Sequence, residues 1–89
     1  MRQANITIVN RLGLHARAAA KLVNLAKTFQ SEIALTRDDE PVDGKSIMSV
    51  MLLAAAVGTE LQITTSGPDE DDALASIEQL FAERFGEPE

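Results

Sequence analysis

The apolar residues of this chain change their spacing twice within the first 37 positions, and that switch constrains the fold more than any other feature. Over Gln3–Val9 the side chains alternate, with Ile6 and Ile8 on one face and Thr7 and Val9 on the other, the period-two signature of a strand. Across Ala16–Phe29 the spacing becomes helical. Ala19, Leu22, Val23, Ala26 and Phe29 form one stripe, and Arg17, Lys21, Asn24 and Thr28 lie opposite. Alternation returns over Glu32–Arg37, with Ile33 and Leu35 inward. A DDEP turn, a short strand at Pro41–Asp43 and an Asp43-Gly44 turn follow. Ser46 reads as the N-cap of a helix ending near Gly58, and Glu60–Thr65 as a strand with Leu61 and Ile63 inward. After the break at Gly67-Pro68, Asp69–Phe85 reads as a helix. Its first turn is acidic, Leu74, Ile77, Leu80 and Phe81 form its apolar stripe, and Gly86 is its stop. The order βαββαβα predicts an α+β open-faced β-sandwich, a four-stranded antiparallel sheet with three helices on one face, built as one domain over residues 1–89.

Composition narrows the function classes. Apolar residues make up 45% of the chain, yet the only aromatics are three phenylalanines, so the core must be aliphatic. With no cysteine there is neither a disulfide framework nor a thiolate metal site. No signal-peptide pattern opens the chain, and its longest apolar run, Val50–Val57, falls far short of the roughly 18 residues of a membrane span. A cytoplasmic protein that does not insert in a membrane is expected. The net charge of −6 is unevenly spread: residues 1–31 hold five cations and no acid, and the remainder nets −11. A cationic first third on an acidic protein attracts anions locally. Nucleic acid is a poor fit, because the total charge is wrong and no aromatic lies beside the basic residues.

The only histidine, His15, lies between the turn Leu12-Gly13-Leu14 and the start of the first helix, with Arg11 and Arg17 on either side. First-turn amides have no acceptor inside their helix, and with the helix dipole they suit a phosphate-sized anion. Arg17 can add a two-pronged contact to phosphate oxygens. The same surroundings favour a neutral imidazole, which keeps a lone pair for nucleophilic attack. A lone nucleophile in an anion cradle on so small a chain fits a phosphoryl carrier; the spacing does not choose between the two ring nitrogens. In the second helix Val50, Leu53, Ala54 and Val57 form one apolar stripe, and Ile47, Met48, Met51 and Leu52 form another beside it. A sheet buries one side of a short helix, so either both stripes enter a core or the second stays exposed as an adaptable, methionine-rich surface.

The stretches GLHARAAAKL and GKSIMSVMLLAAAVGTEL resemble the HPr family of histidine-containing phosphocarriers of the bacterial phosphotransferase system. Gly13, Leu14, His15, Ala16 and Arg17 match the family motif, and Ala18 stands where a proline is usual. The resemblance implies that His15 accepts phosphate at Nδ1 from phosphorylated enzyme I and passes it to a histidine of an enzyme IIA, with Arg17 contacting the phosphoryl group. It further implies a partner surface of Ala16, Lys21, Lys27, Ile47, Met48 and Met51, and regulatory phosphorylation of Ser46 by HPr kinase/phosphorylase. A monomer that needs no cofactor and no metal is expected. Ala18 and the alanine run after Arg17 lean toward the nitrogen-related regulatory branch over sugar uptake. In that alternative the protein is a regulatory module acting by binding. An acyl carrier would need an all-helical fold and an Asp-Ser-Leu motif, whereas Lys45 precedes Ser46. An independent enzyme is disfavoured, since there is one histidine, no cysteine, no phosphate-binding glycine loop and no His-x-x-x-His metal spacing.

Overall fold

A computed structural model describes residues 1–89. The elements are β1 (Arg2–Thr7), α1 (Ala16–Ala26), β2 (Glu32–Arg37), β3 (Glu40–Asp43), α2 (Ile47–Leu52), β4 (Glu60–Ser66) and α3 (Glu70–Ala82), followed by a tight turn at Arg84–Gly86. All strand pairs are antiparallel, in the order β1-β4-β2-β3. β4 therefore slots between β1 and β2, which run parallel to one another. The register aligns Ala4, Ile63, Leu35 and Val42 across the four strands. With Leu61 and Ile33 they make the face on which the three helices pack, as the alternation predicts. No helix is long and apolar enough to cross a membrane.

The helices meet the sheet through small and aliphatic side chains. On α1, Ala18, Ala19, Leu22, Val23 and Ala26 are buried, while Arg17, Lys21, Asn24 and Thr28 face solvent. On α3, Leu74, Ile77 and Phe81 are buried and Leu80 is half-buried. Asp69 spends its carboxylate on the amides of Gln30 and Ser31 and the Ser31 hydroxyl, tying the start of α3 to the loop before β2.

Four boundaries differ from the sequence reading by two residues or more. β1 ends at Thr7, although Ile8 still exchanges hydrogen bonds with Gly58 and Thr59 and is buried. α1 ends at Ala26, where Thr28 turns back to bond the Leu25 carbonyl and Phe29 is only half-buried. α2 stops at Leu52, well short of Gly58, because Ala54 is left-handed at φ 48° and Arg37 draws off the Leu53 carbonyl at 2.6 Å. In consequence Leu53 is buried, whereas Ala54 and Val57 lie on the surface. α3 ends at Ala82, because Arg84, Phe85 and Gly86 are all left-handed. This turn costs about 1–2 kcal/mol for each non-glycine residue. It is offset by full burial of the Phe85 ring, which packs edge-on against Phe81 with centroids 4.9 Å apart. The turn redirects the last three residues toward the beginning of α1.

Candidate functional site

His15 is the N-cap of α1, with extended backbone at φ −74° and ψ 177°. Two contacts put it there. Leu14 is buried and its amide donates to the Ala55 carbonyl at 2.9 Å, docking the loop against the segment after α2. Gly13, at φ +67°, closes a turn on Asn10 and lies so near Ala55 that a Cβ would meet its carbonyl oxygen at 2.5 Å. The imidazole is then presented at the surface with its side chain 27% exposed.

Its two nitrogens face different chemistry. Nδ1 takes the capping place usually filled by a serine or aspartate oxygen, accepting the Arg17 amide at 3.3 Å. The neighbouring first-turn amides of Ala16 and Ala18 have no acceptor in the chain. Nε2 contacts the carboxylate of Glu87. The Glu87 side chain is 8% exposed, and its other oxygen accepts the Asn10 side-chain amide at 3.0 Å. Asn10 itself is fully buried and also donates to the Gly13 carbonyl at 2.8 Å. The Asn10 amide, then the His15 ring and the charge of Arg17, hold the Glu87 carboxyl below the usual glutamate range. Beside the ring, Arg11, Leu12, Arg17, Glu87, Pro88 and Glu89 line an open cleft of about 280 Å³. Arg11 is engaged there by the Glu89 carboxylate at 2.9 Å, whereas the Arg17 guanidinium forms no hydrogen bond or ion pair and remains available to an anion.

The other residues singled out from the sequence fall into three places. Ala16 is exposed beside His15. Lys21 lies on the exposed face of α1, its ammonium bonded to the Phe85 carbonyl at 2.6 Å, and Lys27 caps the far end of that helix. Ile47, Met48 and Met51 are exposed on α2, which packs beside α1. Met48 is 76% exposed, and Leu52 at 81% and Leu12 are exposed apolar side chains as well. Ser46 caps α2, its hydroxyl accepting the Ser49 amide at 3.3 Å.

Sequence reasoning passed over Asn10 and Glu87. The tail GEPE reads as a slightly acidic end, and only the left-handed turn at 84–86 shows where it goes. A signal was present in the pairing of an acidic tail with a cationic first third.

Comparison with known proteins gives this geometry its family. The family model for the PTS HPr component phosphorylation site matches residues 2–83. The phosphocarrier protein HPr of Cupriavidus necator is 51% identical over the full length of both chains, and that of Pseudomonas aeruginosa 52% identical over 94% of each. The crystal structure of HPr-C-His from Thermoanaerobacter tengcongensis superposes with a TM-score of 0.97 at 37% identity, covering all of both chains. From sequence match, fold and end-to-end likeness alike, the chain belongs to the HPr family of phosphotransferase-system phosphocarriers.

Proposed function

We propose that His15 is the residue that carries the phosphoryl group, bonded through Nδ1. One observation carries this reading: the Nδ1 lone pair faces the start of α1, where the amides of Ala16, Arg17 and Ala18 have no carbonyl to satisfy. In the transfer, the Nδ1 pair forms a new P–N bond as the P–N bond of phosphorylated enzyme I breaks, its electrons returning to the donor nitrogen. The incoming oxygens then accept the three amides and the free Arg17 guanidinium, where the helix dipole favours negative charge. Reversal of the same step hands the group to a histidine of an enzyme IIA. Ala18 supports the cradle: its amide remains available to an oxygen, whereas a proline there would have none.

For docking we assign the apolar surface of Ile47, Met48 and Met51 beside Ala16, with Lys21 and Lys27 along α1 supplying positive charge to acidic partners. Ser46, half-buried at the start of α2, borders this surface. A phosphate placed there by HPr kinase/phosphorylase would add about two negative charges to the docking face and oppose an acidic partner. We read the chain as a single-domain monomer working in the cytoplasm.

Incubation with enzyme I and labelled phosphoenolpyruvate tests the carrier assignment. The label is expected to be acid-labile and base-stable, as a phosphoramidate is, and absent from His15→Ala that retains its fold. Acid-stable label, or undiminished label in His15→Ala, would overturn it.

A further inference from the structure

We propose that Glu87, held by Asn10, is a positioning residue that keeps the ring proton on Nε2 through the whole cycle, so that Nδ1 attacks and the phosphorylated ring departs as neutral imidazole. This rests on the reading of His15 as the phosphoryl carrier and assigns a part of the site that the carrier motif itself does not contain.

A neutral imidazole has one N–H and one lone pair, and its neighbours decide which nitrogen has which. Here both choices agree. The Arg17 amide donates to Nδ1, which must therefore be the acceptor. The Glu87 carboxylate, an acceptor only, contacts Nε2, which must therefore be the donor. The carboxylate is fixed in turn. Its second oxygen takes the Asn10 side-chain amide, and that amide is oriented because its NH₂ also serves the Gly13 carbonyl. Turned over, Asn10 would set its oxygen against two other acceptors. The line Gly13–Asn10–Glu87–His15 closes on the very loop that presents the histidine. Phe85, fully buried, anchors the tail two residues before Glu87, and Lys21 pins the Phe85 carbonyl.

The arrangement has a chemical use. When Nδ1 bonds to phosphorus, the ring becomes a phosphoryl-imidazolium with its proton on Nε2, and a carboxylate at that nitrogen stabilises the charge. When the group leaves, the P–N pair returns to a ring that is neutral because Nε2 still holds its proton. A ring that had lost that proton would have to leave as an imidazolide anion, a far worse leaving group. The other charged groups around the ring are Arg17 on α1 and, in the cleft, Arg11 with Glu89. None of these is bonded to Nε2.

Glu87→Gln and Glu87→Ala separate this role from a structural one. In the glutamine variant the carbonyl oxygen accepts from Asn10, leaving the side-chain NH₂ to donate to Nε2 and driving the ring proton to Nδ1. The alanine variant only frees the ring. ¹⁵N NMR of the unphosphorylated protein with the ring neutral should show Nε2–H in the parent chain and a shift toward Nδ1–H in Glu87→Gln. Phosphorylation by enzyme I should slow in Glu87→Gln by more than about tenfold, and by less in Glu87→Ala, the smaller residue. An unchanged tautomer in Glu87→Gln, or phosphorylation of Glu87→Ala as slow as or slower than that of Glu87→Gln, would overturn the assignment. The NMR arm reads the ring without any phosphoryl group. Failure of the carrier reading would show separately, as absence of acid-labile label from the parent chain.

Discussion

Substituting Gly13 by alanine should cost more than substituting a left-handed glycine that has open space around it, and the excess can be worked out. A Cβ on Gly13 would lie 2.5 Å from the Ala55 carbonyl oxygen and 2.9 Å from the Ala56 Cα. The left-handed backbone alone costs an L-residue about 1–2 kcal/mol. The obstacle is main chain, so the segment after α2 must withdraw, breaking the bond from the Leu14 amide to the Ala55 carbonyl. A buried donor left without a partner adds about 1–3 kcal/mol. Gly58 supplies the control: its φ is +88°, but a Cβ there meets nothing within 4 Å, so Gly58→Ala carries the backbone cost alone. In urea unfolding followed by circular dichroism, Gly13→Ala should therefore be less stable than Gly58→Ala by about 1–3 kcal/mol. At about 4–8 °C per kcal/mol for a domain of this size, the two melting points should separate clearly. Because Leu14 immediately precedes His15, enzyme I-dependent labelling should also fall in folded Gly13→Ala and persist in Gly58→Ala. Equal destabilisation by the two substitutions would refute the claim that docking of residues 13 and 14 on 55 and 56 positions the histidine.

Met48→Glu replaces an exposed side chain, so stability should change by no more than about 0.5 kcal/mol. The KM of enzyme I for the protein should nonetheless rise several-fold, and an unchanged KM would remove Met48 from the docking surface. Asp69→Asn addresses acid stability. The Ser31 hydroxyl, then the Gln30 amide, hold the Asp69 carboxyl below its ordinary 3.8, so the folded state binds its proton more weakly than the unfolded chain does. That contribution is complete above the ordinary value and disappears as pH falls through the lower folded one. Wild type should thus lose stability more steeply than Asp69→Asn below about pH 4, although Glu70 and Glu87, shifted the same way, keep some slope in both. Parallel acid profiles would show that the Asp69 bridge contributes nothing.

Local pattern determined a good deal. Strict alternation over residues 32–37 and 60–65 could not place Ile33, Leu35, Leu61 and Ile63 anywhere but on one face, and all four are buried. Helical spacing from Ala16 separated a core stripe from a cationic one. A glycine turn before a lone histidine at a helix start marked the site, because first-turn amides lack acceptors in any helix. The doubled apolar stripe of the second helix, open from spacing alone, resolved once α2 stopped at Leu52. A single helical face cannot show that Arg37, from another strand, will draw away the carbonyl that ends it.

Tertiary structure decided the rest, and the reason is the same in each case: contacts between residues far apart in the chain outweighed local preference. β4 entered between β1 and β2 although it is the last strand made. Phe85 lies four residues after Phe81, which continues the helical stripe on paper. In the fold, three left-handed residues drop its ring into the core at a backbone cost that its burial offsets. That turn swings Glu87 across 72 positions of sequence onto His15. The histidine we assign as phosphoryl acceptor was legible in ten letters, whereas the carboxylate against its ring depends on where the folded chain ends its last helix.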